Sequence, residues 1–267
     1  MTARLRQRPE LASVPAVAIA LVVGWELAVR LLKVPAYVLP PPSRILVALV
    51  RGFATPVGSR EGYLLHTAHT GAETLLGFLL GSATGILLGT ALAQSRLLEK
   101  TFLPFIVGFQ ALPKVAVAPL FLIWFGFGLT SKVLIAALIT FFPLLVNSLV
   151  GLRSVPEDRL ELMRVVSASR WQTFRMVQFP TALPFIFAGL ELGVVYSLIG
   201  AIVGEFLGGE SGLGVLIMQM NLVADIAGVF SALAILSALA IVLHVVIRTV
   251  ERRVLFWAPR EWRQTGA

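Results

Sequence analysis

Four sets of residues in this sequence carry side chains able to do chemistry: carboxylates and a lysine inside apolar runs, three histidines, glycine-rich turns, and an arginine-rich polar island. Glu191 and Glu205 share one apolar run, and two carboxylates so placed suggest proton coupling. Their separation corresponds to about 21 Å at about 1.5 Å per helical residue, so they belong near opposite ends of one helix rather than to a working pair. Lys114 interrupts a second apolar run. An ammonium at that depth marks a functional site by default, the alternative being a side chain that snorkels to an interface. His66, His69 and His244 are scattered, and no cysteine completes a metal set, so His244 reads as a packed helix residue and no metal site is expected. GGESGLG at residues 208–214 follows no strand pattern, and no Lys-Ser or Lys-Thr follows the glycines at 71–89, which argues against both dinucleotide and phosphate loops. The first of these reads as a flexible turn.

The polar island is SVPEDRLELMRVVSASRWQTFRMVQFP, residues 154–180. Ser154 with Glu157 and Ser169 with Gln172 have the spacing of reciprocal N-terminal caps, which predicts two short helices. Pro156 suits a first helical turn, and Pro180 is expected to stop the second helix. Leu160, Met163 and Val166 form a narrow apolar stripe on the first helix. Ser167, Ala168 and Ser169 make a small-residue joint. Arg159, Arg164, Arg170 and Arg175 keep the pair out of hydrocarbon, which makes the island either a docking element or a charged connecting loop.

The elements that must position these residues are set by composition. Of the 267 residues 57% are hydrophobic and 13% charged, against about 25% charged in soluble domains, so the chain is an integral membrane protein. The formal net charge of +8 comes from basic residues flanking apolar segments, not from one face, which argues for membrane topology and against nucleic acid. Spans are expected near residues 11–32, 70–93, 133–152, 183–206 and 229–250, with a kinked segment across 101–129 that carries Pro104, Pro113, Pro119 and Lys114. Irregular backbone at that depth is tolerated only against protein or water, so the kinked segment is expected to line the interior. Pro143 and Asn147 interrupt the apolar pattern of the fourth of the six. Between the first two spans, LPPPSRI precedes an interfacial helix over residues 44–53 with Ser43 as its cap. Gly77, Gly81, Gly85 and Gly89 recur every four residues, a small face for close helix packing.

With both termini inside, fifteen Lys and Arg fall on the cytoplasmic side and six outside, with Lys114 left in a span. Lys132 is counted among the outer six. The bias favours cytoplasmic termini, although the first outer loop is itself basic. The chain divides into residues 1–60, holding the first span and the interfacial segment; 61–255, the transmembrane core; and 256–267, a cytoplasmic tail.

Glu161 to Pro180, read as E-L-M-x3-S-x9-V-Q-F-P, resembles the EAA motif of binding-protein-dependent ABC transporter permeases. Leu162 and Met163 stand for the two alanines, Ser167 for the glycine and Phe179 for the leucine. LPPPSRI, the HTxxT of residues 66–70, ALPKVAVAPLFLIWFGFG, TFFPLLVNSLVGLRSV, SASRWQTFRMV and SGLG extend the similarity to the nitrate/sulfonate/taurine-type permeases over residues 39–257.

The resemblance implies an all-α membrane protein of about six transmembrane helices, with the architecture of a type I ABC importer permease (MetI-like). It implies a homodimeric pore in the prokaryotic plasma membrane, two ATPase subunits and an extracytoplasmic substrate-binding protein. It also makes the island the ATPase dock, with Glu161, Arg164, Ser167, Ala168 and Arg170 as contacts and Pro156 and Pro180 at its ends. Lys114, Asn147 and Glu205 become candidates for the translocation path or gate. The chain lacks G-x4-G-K-S/T, so ATP and Mg are expected on the partner, with no cofactor here and no enzyme activity of the chain itself. The substrate is expected to be a small anion such as a sulfonate, taurine or nitrate; the alternatives are a heterocyclic vitamin precursor or aromatic acid, and, less favoured, a secondary transporter.

Overall fold

A computed structural model of the chain describes residues 10–56 and 62–257. The described residues are helical, without a strand among them. In order the helices are α1 (Glu10–Leu31), α2 (Pro42–Ala54), α3 (Tyr63–Gln94), α4 (Arg96–Ala111), α5 (Lys114–Phe125), α6 (Leu129–Arg153), α7 (Glu157–Val165), α8 (Arg170–Thr173), α9 (Phe179–Gly208), α10 (Leu213–Leu222) and α11 (Ile226–Val254). A π-helical turn, Phe174–Gln178, fuses α8 to α9.

Among the described residues four helices are long and apolar enough to cross a membrane: α3, α6, the continuous Arg170–Gly208 segment and α11. The bent pair α4–α5 makes a fifth if counted as one span. Helix α1 has 22 residues and matches the expected first segment in position.

Helices α3, α6 and α9 form the core, and glycine lets them approach. A Cβ on Gly81 would lie 2.5 Å from the Ala137 carbonyl oxygen, on Gly85 2.6 Å from that of Phe141, and on Gly89 2.7 Å from that of Leu145. The four-residue glycine period is therefore the contact face of α3 on α6. From the other side Gly200 of α9 lies against Ala136, where a Cβ would fall 2.5 Å from its Cα. Ala136, Leu144 and Leu145 are sealed between the two neighbours. Helix α6 runs unbroken through Pro143 and Asn147, the two interruptions of its apolar pattern.

Several local expectations change. Ser154 does not cap α7: it ends α6, its Oγ donating to the Gly151 carbonyl, and extended Pro156 is the N-cap residue. Ser43 likewise lies inside α2, whose N-cap is Pro41, and its hydroxyl and backbone N–H are taken by Glu26. Pro180 stops nothing, because the π-turn before it changes the hydrogen-bond register and the helix passes through the proline. The kinked segment is a sharp break: α4 and α5 meet at 93° around Leu112 and Pro113. Phe105, Ile123 and Trp124 on this pair are exposed in the single chain.

Candidate functional site

The island builds a bare, mixed surface at one end of the core. Ser169 and Gln172 form the expected reciprocal cap, with Gln172 N–H donating to Ser169 Oγ at 3.2 Å and Ser169 N–H to Gln172 Oε1 at 2.7 Å. Helix α7 buries none of its residues. Leu160 and Met163 turn partly inward, whereas Leu162, Val165 and Val166 are 61%, 80% and 62% exposed. Trp171, stacked on Phe174, and Met176 extend this patch, and exposed Glu161, Arg164 and Arg170 rim it. Arg164 pairs loosely with Glu157 at 3.6 Å.

The turn after α7 accounts for the glycine of the motif that the island resembles. Ser167 has φ 54°, the left-handed conformation, and sits where a helix-ending glycine is usual. Ala168 N–H donates to the Met163 carbonyl at 2.9 Å and Ser167 N–H to that of Arg164 at 3.0 Å, the two bonds of a Schellman turn. Beside it, Arg159, Met163, Met176, Val177 and Pro180 line a cleft of about 820 Å³. The island is anchored through Gln94, whose Nε2 donates to Gln178 Oε1 at 3.0 Å, and just before it the Arg153–Glu99 ion pair ties the end of α6 to α4.

At the opposite end of the core lies a buried ionic cluster that only partly overlaps the sequence candidates. Glu205 near the end of α9 is 1% exposed. Thr70 donates to its Oε1 at 2.6 Å, and Gly214 N–H donates to its Oε2 at 2.5 Å. Lys132, in the first turn of α6, donates to Glu73 Oε1 at 2.7 Å and to the Ser211 carbonyl at 2.9 Å. The Lys132 ammonium is thus shared between α3 and the loop joining α9 to α10, and the lysine is not the outer-loop charge that the topology count supposed.

His66 and Thr70 complete the cluster: Gly212 N–H donates to His66 Nδ1 at 2.9 Å, and Leu213 N–H to Thr70 Oγ1 at 2.8 Å. GGESGLG is therefore a clamped strap and not a loose turn. Gly212 has φ +122°, and a Cβ there would lie 2.0 Å from Glu205 Oε1, so only glycine fits.

The sequence candidates for the path do not converge. Lys114 stands at the α4–α5 bend, donating to the Gln110 carbonyl at 3.2 Å with its ammonium 4.9 Å from the centre of the Phe142 ring. Asn147 is half-buried on α6, its amide donating to the Pro143 carbonyl at 2.8 Å, and faces Gly189 of α9. Glu205 lies sixteen positions beyond Gly189, about 24 Å along α9. Glu73 and Lys132 went unselected by sequence reasoning. A signal existed: His66, Thr70, Glu73 and Gly77 repeat at helical spacing on one face of α3, in continuation of the glycine stripe. Among the described residues no group of three or more His, Cys, Asp or Glu could hold a metal.

The fold defines a multi-pass helical membrane protein, and sequence comparison gives its family. The family of binding-protein-dependent transport system inner membrane components matches residues 81–256, and the chain belongs to it. It is similar to the riboflavin transport system permease protein RibX of Chloroflexus aurantiacus, 41% identical over 91% of this chain and 89% of that one. The formylaminopyrimidine transport permease protein ThiX of Halalkalibacterium halodurans is 34% identical over 90% and 94%. The taurine transport system permease protein TauC of Escherichia coli is 31% identical over 92% and 89%. In fold the chain resembles an inward-facing structure of the MetNI methionine ABC transporter, with TM-score 0.63, 19% identity, and coverage of 79% of this chain and 97% of that one.

Proposed function

We propose that this ABC importer permease works as a homodimer, with both termini cytoplasmic, and couples to two ATPase subunits through α7 and the Ser167 turn. The observation that carries this reading is the patch of Leu162, Val165 and Val166. Exposed aliphatic side chains on a nine-residue helix and its C-cap residue, rimmed by charge, have the composition of a protein interface. ATP binding and hydrolysis would move the dock, and α6 and α9, which flank it in sequence, would carry the motion to the clamped strap at the other end. There, release of the strap by Glu205, Thr70 and Lys132 is the gating step; Lys114 and Asn147 sit at intermediate depth, where they would meet the substrate.

The double variant Leu162→Glu/Val165→Glu tests the dock. It is expected to insert and purify at the parental level but to lose ATPase co-purification. Retained co-purification would remove α7 from the interface. For the gate, Glu205→Leu and Lys114→Leu are expected to lower transport by at least tenfold at normal expression, and unchanged transport would reject their roles.

For the substrate, the names of the relatives at 41% and 34% identity support a heterocyclic vitamin or pyrimidine precursor over a small anion. Similarity to a taurine permease keeps the anion as the second reading. The associated binding protein, tested by thermal shift against riboflavin, formylaminopyrimidine and taurine, separates the two readings: the stabilising ligand identifies the class.

A further inference from the structure

The coupling and gating scheme leaves the basic first loop unused, and its arrangement is specific. Arg30, Lys33, Arg44 and Arg51 fall within 22 positions, on the side where the topology rule disfavours cations. Arg30 is neutralised by Glu26 at 2.5 Å. Among the described residues no ion pair reaches Lys33, Arg44 or Arg51, and all three are exposed. Arg44 and Arg51 stand two turns apart on one face of α2. The roll of α2 is fixed, because a Cβ on Gly52 would lie 2.3 Å from the Tyr63 ring and Phe53 meets that ring edge-on.

Two clefts open along this face. One, of about 690 Å³, is lined by Arg44, Arg51, Tyr63, Gln219 and Asp225; the other, of about 410 Å³, by Arg30, Lys33 and Arg44. Arg44 borders both. Asp225 is engaged in capping α11, its Oδ1 accepting from Gly228 N–H. The surrounding surface is bare hydrocarbon: Leu31, Leu32, Leu46 and Val50 are each more than 60% exposed. Unpaired cations beside exposed aliphatic surface at a membrane boundary complement a molecule with an anionic head and apolar tails.

We propose that this face of α1 and α2 binds an anionic glycerophospholipid, its headgroup phosphate at Arg44 between Lys33 and Arg51 and its acyl chains along the exposed leucines and valines. The leaflet depends on the orientation proposed above; the site itself is independent of the ATPase dock. A soluble acidic protein partner would match the charge but not the aliphatic shelf.

The test compares the full chain in nanodiscs of phosphatidylcholine alone and of phosphatidylcholine with phosphatidylglycerol. The anionic lipid is expected to raise Tm by about 3 °C or more, and Lys33→Gln/Arg44→Gln/Arg51→Gln to abolish that rise. Arg248→Gln/Arg252→Gln, at the far end of α11, should keep it. A full response in the triple variant overturns the site. An equal rise with inorganic phosphate in phosphatidylcholine discs overturns the lipid assignment, as does loss of affinity for the soluble binding protein with the lipid response intact. Should the triple variant be unstable in phosphatidylcholine as well, Arg44→Lys with Lys33 and Arg51 retained decides: a preserved lipid response supports the site, and a lost one rejects charge recognition.

Discussion

Two backbone positions with positive φ carry much of the specificity at the residue scale. Ser167 bears a side chain in a conformation that glycine adopts at no steric cost, and it closes the α7 turn through backbone bonds alone. Ser167→Gly is therefore expected to stabilise the turn by up to about 1 kcal/mol and to leave coupling intact, whereas β-branched Ser167→Val should weaken ATPase co-purification. Equal coupling in both would show that the turn's geometry is not read by the partner. Gly212 is the stricter case, because its Cβ position is already filled by the Glu205 carboxyl. The sequence contains no cysteine, so Ser211→Cys gives a single reporter on the strap. Adding Gly212→Ala should raise the maleimide labelling rate at that cysteine several-fold, and an unchanged rate would mean that the strap tolerates the clash. Of the clamp itself, Glu205 was legible as a carboxylate in an apolar run. Lys132 was not: position beside a span end identifies a boundary charge, but the direction of a helical side chain follows from packing that a linear count does not contain.

At the element scale, the legible features were those fixed by short-range stereochemistry. The Ser169–Gln172 cap formed because both partners lie within one turn and nothing competes for them. The Ser154–Glu157 spacing is identical, yet α6 ends on Ser154 and extended Pro156 starts the next helix two residues later, so the hydroxyl is already used. Pro180 failed as a terminator for a related reason, since a preceding π-turn absorbs the register change that a proline demands. The glycine stripe, by contrast, survived intact from sequence to fold because a period of four maps directly onto one helix face. That gives an element-scale prediction: Gly81→Leu places a branched side chain where even a Cβ would be 2.5 Å from a backbone oxygen of α6. It should prevent close packing of α3 and α6 and lower Tm in detergent by far more than Gly71→Leu, since Gly71 has nothing within 4 Å of its Cβ position. Equal losses for the two would reject the stripe as the packing face.

At the scale of the whole molecule, the two ends of the α3–α6–α9 core are chemically opposed: an exposed aliphatic and cationic surface at one, a buried carboxylate–lysine clamp at the other. From Lys132 to Arg153, α6 spans about 31 Å, the thickness of the hydrocarbon layer, so the two sites belong on opposite membrane faces. The charge count favours a cytoplasmic position for the α7 end, and correcting Lys132 to a buried residue lowers the outer total and leaves α2 and its neighbours as the main exception. Orientation is thus the assumption on which ATPase docking, strap gating and the leaflet of the lipid site all depend, and the cysteine-free chain allows it to be measured directly. Val165→Cys on α7 and Glu210→Cys on the strap are both exposed positions at opposite ends. In intact cells an impermeant maleimide should label Glu210→Cys and leave Val165→Cys unmodified until the membrane is permeabilised. The inverse pattern would put α7 outside, where no ATPase can reach it, and would overturn the coupling scheme at one stroke.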